Sequence, residues 1–364
     1  MSWLLVFLGF SLLIVLHEAG HYFAARATGM RVEKFFLFFG PKLVSFKRGE
    51  TEYGIGTIPL GGYAKISGMN PEEELPPEVE SRAYYRQPVW RRIVVTAAGP
   101  AVNIALAFAI LFFVAFGYPK LTDTVGSVKA GSPAAAAGLV PGDRLVSVDG
   151  KNFPGVETEK RLARFGHIIS THRCAEKPPA SGCRATSPVE LGIKRQGRIH
   201  TITAYPTYFP AARRNLVGIE YGTAPAAASS AGAVSFAWDK MWLVASGTFH
   251  VFSHIFEAEE RKQISSVVGI SDVGHQTVDL GIYPSLFLLA LVSLSLGLIN
   301  LLPILPLDGG HIFWSLMEKL RGRPVPLQVV ERATVVGVVL VVMLMFIGLT
   351  NDIGRLTGEG FNVR

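Results

Sequence analysis

The pentapeptide His17-Glu18-Ala19-Gly20-His21 puts two imidazoles and a carboxylate near the end of an apolar run. On a helix His17 and His21 lie one turn apart on one face, suited to adjacent corners of a tetrahedral zinc ion. Glu18 points elsewhere and is placed to act on water at an open metal position rather than to ligate. Ionisable groups are costly in an apolar segment and mark function there. A third protein ligand is still needed. The segment Asn300-Leu-Leu-Pro-Ile-Leu-Pro-Leu-Asp308-Gly-Gly-His311 offers two, Asp308 at a proline-broken helix end and His311 as its rival. Asn300 suits a hydrogen bond to a substrate backbone, or else an interhelical contact. Asn103, in Gly99-Pro100-Ala101-Val102-Asn103, carries the same two readings, with packing the stronger. His250 and His254 share the ligand spacing but lack an intervening Glu, and are read as interfacial polar groups.

Four apolar runs must position these groups: Trp3–Ala25, Ile93–Tyr118, Tyr283–Leu302 and Ala333–Leu349. They suit bilayer spans at about 20 residues per crossing. The first reads as a span, not a signal peptide, because it ends in His, Glu and Arg without a small-residue cleavage site. Composition agrees: charged residues are only 17%, against about 25% in soluble domains, and mean hydropathy is +0.34. Two cysteines exclude a disulfide-dense scaffold. Basic residues gather between spans one and two (Arg26, Arg31, Lys34, Arg82, Arg86, Arg91, Arg92). They gather again between spans three and four (Lys319, Arg321, Arg323, Arg332). By the positive-inside rule both loops are cytoplasmic, and both termini and the long middle region are outside. The net charge of +7 thus orients helices and needs no nucleic acid. His17, His21 and Asp308 then share a depth near the cytoplasmic face, His17 standing about 14 Å of helix from Arg26.

Cys174 and Cys183 fall in the external region, where a local disulfide is expected. Residues 233–256 mix Phe236, Met241, Trp242 and Phe249 with Asp239, Lys240 and histidines, predicting an amphipathic helix on the outer membrane face. The run from Gly54 to Gly68 alternates apolar residues with glycine and reads as short strands, a cytoplasmic-side β-hairpin at the membrane edge.

HEAGH in the first span, GPAVN in the second and NLLPILPLDGGH ending the third resemble, in that order, the site-2 protease family of intramembrane zinc metalloproteases. The bacterial branch with PDZ domains is the nearest match. The resemblance implies a Zn2+ cofactor on His17, His21 and Asp308, and it is what favours Asp308 over His311. It further implies Glu18 as general base and acid, Asn300 in substrate handling, and a hairpin strand that pairs with extended substrate. Gly54, Ile55, Gly56, Thr57 and Ile58 are the residues expected in that strand. Val125–Gly150, with its G-L-x-P-G-D turn, resembles a PDZ domain. No loop suited to a peptide's terminal carboxylate is evident, so a steric filter or docking platform is expected.

The fold expected is a polytopic α-helical membrane protein with four transmembrane helices, a cytoplasmic-side membrane-associated β-hairpin and one extracytoplasmic α+β PDZ domain. Residues 1–118 hold spans one and two, 119–206 the PDZ domain, 207–282 a linker and the surface helix, and 283–364 spans three and four. The function expected is zinc-dependent endoproteolysis of single-pass transmembrane proteins already cut by another protease, in a bacterial inner membrane. Anti-sigma factors and signal-peptide remnants are the substrate classes considered. A membrane scaffold and an ion carrier are the rivals; intact Glu18 argues against the scaffold, and a Glu18→Gln variant that stops cleavage while keeping zinc would separate a protease from both.

Overall fold

The apolar runs become helices because a backbone in hydrocarbon must bond to itself. A computed structural model describes residues 2–70, 73–176, 178–255 and 257–358, excepting the side chains of Leu60 and Ala258. The chain divides into two compact units, Met1–Phe116 with Ser229–Arg364, and Gly117–Ala228.

The first unit contains, in chain order, α1 (Ser2–Ala27), strands β1 (Val32–Arg48) and β2 (Thr51–Ile66), and α2 (Val89–Val114). After the second unit come α3 (Ser230–Ser253), α4 (Val267–Asp279), α5 (Ile282–Asn300), α6 (Asp308–Arg321) and α7 (Leu327–Thr357). Helices α1, α2, α5 and α7 are long and apolar enough to cross a membrane. Helix α7 runs past the apolar stretch at both ends, because helical hydrogen bonding continues through Glu331 and Asp352 where hydropathy stops. Small residues let the helices approach. A Cβ on Gly20 of α1 would lie 2.6 Å from the Ala98 carbonyl oxygen of α2, and one on Gly297 of α5 would lie 3.0 Å from the Pro100 oxygen. Ser293 of α5 donates to the Asn103 carbonyl at 2.9 Å.

Helix α3 buries Ala233 and Ala237 and sets Phe236 and Met241 beside Phe108 of α2 and Phe287 of α5. Its other sides expose Val234, Trp238, Trp242, Leu243 and Phe249. Ser235, Asp239, Ser246 and His250 are exposed at helical spacing as a polar stripe between these apolar sides; Phe256 lies outside the described residues.

The β1–β2 hairpin folds back on itself. Phe38 and Gly40 take positive φ of 71° and 84°, so β1 reverses and each strand contributes two segments. Residues 42–48 pair with 51–56, residues 34–37 pair with 52–55, and residues 32–37 pair with 62–66. The order across the sheet is 42–48, 51–56, 32–37, 62–66. Segment 51–56 is internal and 62–66 is an edge.

In the second unit five strands line up as Arg198–Ala204, Val189–Arg195, Arg144–Val148, Pro119–Val128 and Ile219–Pro225. Helix Thr158–Thr171 presents Leu162, Phe165 and Ile169 at helical spacing to Val125, Leu145, Leu191 and Ile193. Strand Ile219–Pro225 pairs with Pro119–Val128. Residues 207–228, expected as linker, thus belong to this unit; a pairing a hundred positions apart leaves no local signal. Cys174 and Cys183 form a disulfide with Cα atoms 6.1 Å apart.

Candidate metal centre

Helix geometry places His17 and His21 on one face of α1, both buried. Their Nε2 atoms are 3.3 Å apart, and each lies 3.3 Å from Oδ2 of Asp308. Three equal edges fit a metal: a tetrahedron with bonds of about 2.0 Å, the zinc–imidazole length, has edges of about 3.3 Å. His21 donates Nδ1–H to the Val95 carbonyl of α2 at 2.8 Å, which fixes the tautomer that leaves Nε2 free to ligate. His17 Nδ1 is buried without a partner among the described residues. Among the described residues this is the one cluster with metal-ligand geometry.

Asp308 reaches the site because α5 stops at Asn300 and α6 starts at Asp308. Gly309 packs on the carbonyls of Leu301 and Leu302, and a Cβ on Gly310 would lie 2.5 Å from Leu305 N. The 301–305 backbone thus runs along the glycine face of α6, and Asp308 and His311 share the opposite face. Burial raises the Asp308 carboxyl pKa, but the hydrogen bonds and charges of His17 and His21 outweigh that and hold it below its ordinary value.

His17, His21, Asp308 and Glu18 line a cavity of about 430 Å³. Asn300 and His311 line it too, with His311 outside the ligand triangle. Asn103 does not. It is fully buried on α2 with its Cβ toward Gly297 of α5, and neither carboxamide atom has a partner among the described residues. The His250 and His254 rings lie 4.4 Å apart, tilted by 37°, at the C-terminal end of α3, with Glu260 3.7 Å from His250, and are outside the cavity lining.

The strand beside the site is not the one expected. Gly54–Ile58 do not line the cavity; Gly54 and Ile55 each pair on both sides, with Phe36 and Ser45 and with Leu37 and Val44. Gly61, Gly62, Tyr63 and Ala64 line it instead, on the sheet's edge. A Cβ on Gly62 would lie 3.2 Å from Glu18 Cγ, so glycine here brings the edge strand against the Glu18 side chain. Gly99 likewise makes room for the His21 ring. The Gly61-Gly62 pair was a visible signal for the first contact, and the small Gly99-Pro100 pair, which lets another helix approach closely, for the second.

Comparison with known proteins agrees along the chain. The model of peptidase family M50 matches residues 5–344. Zinc metalloprotease Rip1 of Mycobacterium tuberculosis H37Rv is 32% identical, over 93% of this chain and 94% of that protein. Its namesake in Mycolicibacterium smegmatis is 33% identical over 85% and 83%. Metalloprotease MmpA of Caulobacter vibrioides is 29% identical over 95% and 93%. Among solved structures, the PDZ domain of an SdrC-like protein from Listeria innocua matches 28% of this chain and 92% of its own, at 19% identity and a TM-score of 0.21. With the match extending from the first apolar helix to the last, and three donors set at zinc distances, this protein belongs to peptidase family M50, the site-2 zinc metalloproteases.

Proposed function

We propose that the protein cuts transmembrane segments of single-pass membrane proteins near the cytoplasmic face of a bacterial inner membrane. The observation that carries this reading is the outer edge of residues 62–66, which no other described strand pairs with, beside Glu18 and the ligand triangle. A transmembrane helix hides its scissile amide in its own hydrogen bonds, so cleavage needs an unwound stretch whose N–H and C=O groups find new partners. An unpaired sheet edge offers those partners by strand addition. Residues 61–64, not 54–58, take that role, and Asn300 supplies a side-chain hydrogen bond to the same segment.

Zinc, when bound to His17, His21 and Asp308, supplies Lewis acidity toward water and the scissile carbonyl. Glu18 accepts the proton that water loses and delivers it to the departing amine nitrogen. The hairpin and apolar helices confine this to a small cavity that still admits water. Basic loops on one side support cytoplasmic placement of the hairpin and external placement of both termini and residues 117–228. The PDZ-like sequence of that unit supports a docking or filtering role, with substrates first shortened by another protease. Regulators tethered by one span, anti-sigma factors among them, and signal-peptide remnants suit such a site.

The test is substrate capture with Glu18→Gln. This variant keeps zinc, accumulates intact single-span proteins and holds them for sequencing, whereas the wild type releases cytoplasmic fragments. Continued cleavage by Glu18→Gln sinks the mechanism. Cysteines placed at Lys47 or Arg48 and labelled by a membrane-impermeant reagent in inverted vesicles, not in spheroplasts, check the orientation.

A further inference from the structure

We infer that His311 is a catalytic residue that donates an N–H to the substrate carbonyl oxygen as negative charge develops on it. The inference rests on the peptidase reading and adds a role to the site. Of the polar side chains lining the cavity, three ligate and Glu18 handles the proton. Thr96 is occupied, donating to the Arg92 carbonyl at 2.9 Å and lying 3.1 Å from the Tyr84 hydroxyl. The Tyr63 ring is stacked with Phe36 and Phe39 on the hairpin, which holds its hydroxyl on that wall of the cavity. On the helical wall Asn300 and His311 are the side-chain donors that line it. His311 makes no side-chain hydrogen bond among the described residues, although it is half-buried.

Position separates the two. Asp308 and His311 stand one turn apart on the same face of α6, so their Cβ atoms are about 5–6 Å apart. The imidazole therefore reaches an oxygen adjacent to the metal ligands. Asn300 sits beyond the chain break, at the last residue of α5. The Gly309-Gly310 contacts with 301–305 hold this turn rigid, which a donor aimed at developing charge requires. An imidazole offers an N–H in either protonation state, so the role does not depend on titration.

The experiment compares wild type, His311→Phe and His311→Gln as full-length protein in detergent micelles. Zinc per chain, kcat and KM on fluorescein-labelled denatured casein, and the affinity of a phosphinic peptide against its amide parent are measured. Zinc content stays at the wild-type level in both variants. For His311→Phe, kcat falls by about 10²–10³, the loss typical of one oxyanion donor, with little change in KM. Phosphinate affinity falls in parallel while amide affinity holds. His311→Gln, which keeps an N–H, recovers part of both. Loss of zinc in the variants makes His311 a ligand and overturns the inference, as does unchanged kcat and phosphinate binding. Cleavage by Glu18→Gln in the same assay overturns the peptidase mechanism instead, so the two failures are distinguishable.

Discussion

Replacing Gly99 by alanine adds one methyl group and is expected to empty the metal site. Its Cβ would stand 2.7 Å from Cε1 and 2.8 Å from Cδ2 of His21. Carbon atoms at rest sit about 3.5–4.0 Å apart, so the ring must retreat by about 0.8 Å. A zinc site tolerates about 0.2 Å in its ligand distances. The ring is also tied to the Val95 carbonyl by a 2.8 Å hydrogen bond, and retreat breaks that bond. The helices cannot part easily, because Gly20 is in contact with Ala98 and Gly99. Gly→Ala in a helix interior otherwise stabilises by about 0.5–1 kcal/mol, so propensity works against the predicted loss. Zinc affinity, measured by chelator competition on the purified protein, should fall by at least about 100-fold, the upper range for lost support of a ligand. Gly247→Ala, in α3 with nothing within 4 Å of the added methyl, is the control and should keep full zinc. Stoichiometric zinc and normal proteolysis in Gly99→Ala would refute the close-approach argument.

Two further outcomes concern stability. Asp143, 1% exposed, accepts from Arg195 Nε and an Arg195 terminal nitrogen at 2.7 Å each, and from Val140 N at 3.0 Å. The Arg195 hydrogen bonds hold its carboxyl below the ordinary value. The stability it contributes is therefore present above about pH 4, the unfolded carboxyl value, and is lost as pH falls through the lower folded value. Asp143→Asn should cost about 1–3 kcal/mol at neutral pH and flatten the acid limb of a thermal-melt series; an unaltered acid limb would contradict the assignment. Asn103→Leu should leave the melting temperature unchanged or raised, since the buried carboxamide has no protein partner to lose. A drop of several degrees would mean that the carboxamide does bond within the folded protein.

Helical periodicity alone was enough to pair His17 with His21 and to set Glu18 apart, because residues four apart share a face wherever a helix forms. Hydropathy was enough to find the four long helices, because hydrocarbon admits few other backbones. The break between Asn300 and Asp308 was legible in Pro303 and Pro306. What local pattern could not carry was anything requiring two distant segments. Asp308 and His311 were both plausible ligands by type, and only the packing of 301–305 on the Gly309-Gly310 face turned one of them into the 3.3 Å triangle. Gly54–Gly56 and Gly61–Ala64 carry the same glycine-and-apolar alternation, so either could have been the open strand. The reversal at Phe38 and Gly40 buried the first between two neighbours and left the second as an edge against Glu18. The span of the second unit followed the same rule, since strand Ile219–Pro225 is defined by its pairing with Pro119–Val128 and not by its own composition. The sequence by itself determined which groups could do the chemistry, through short-range geometry. The tertiary structure decided which of them meet and which strand stays unpaired, because contact and edge are properties of neighbours remote along the chain.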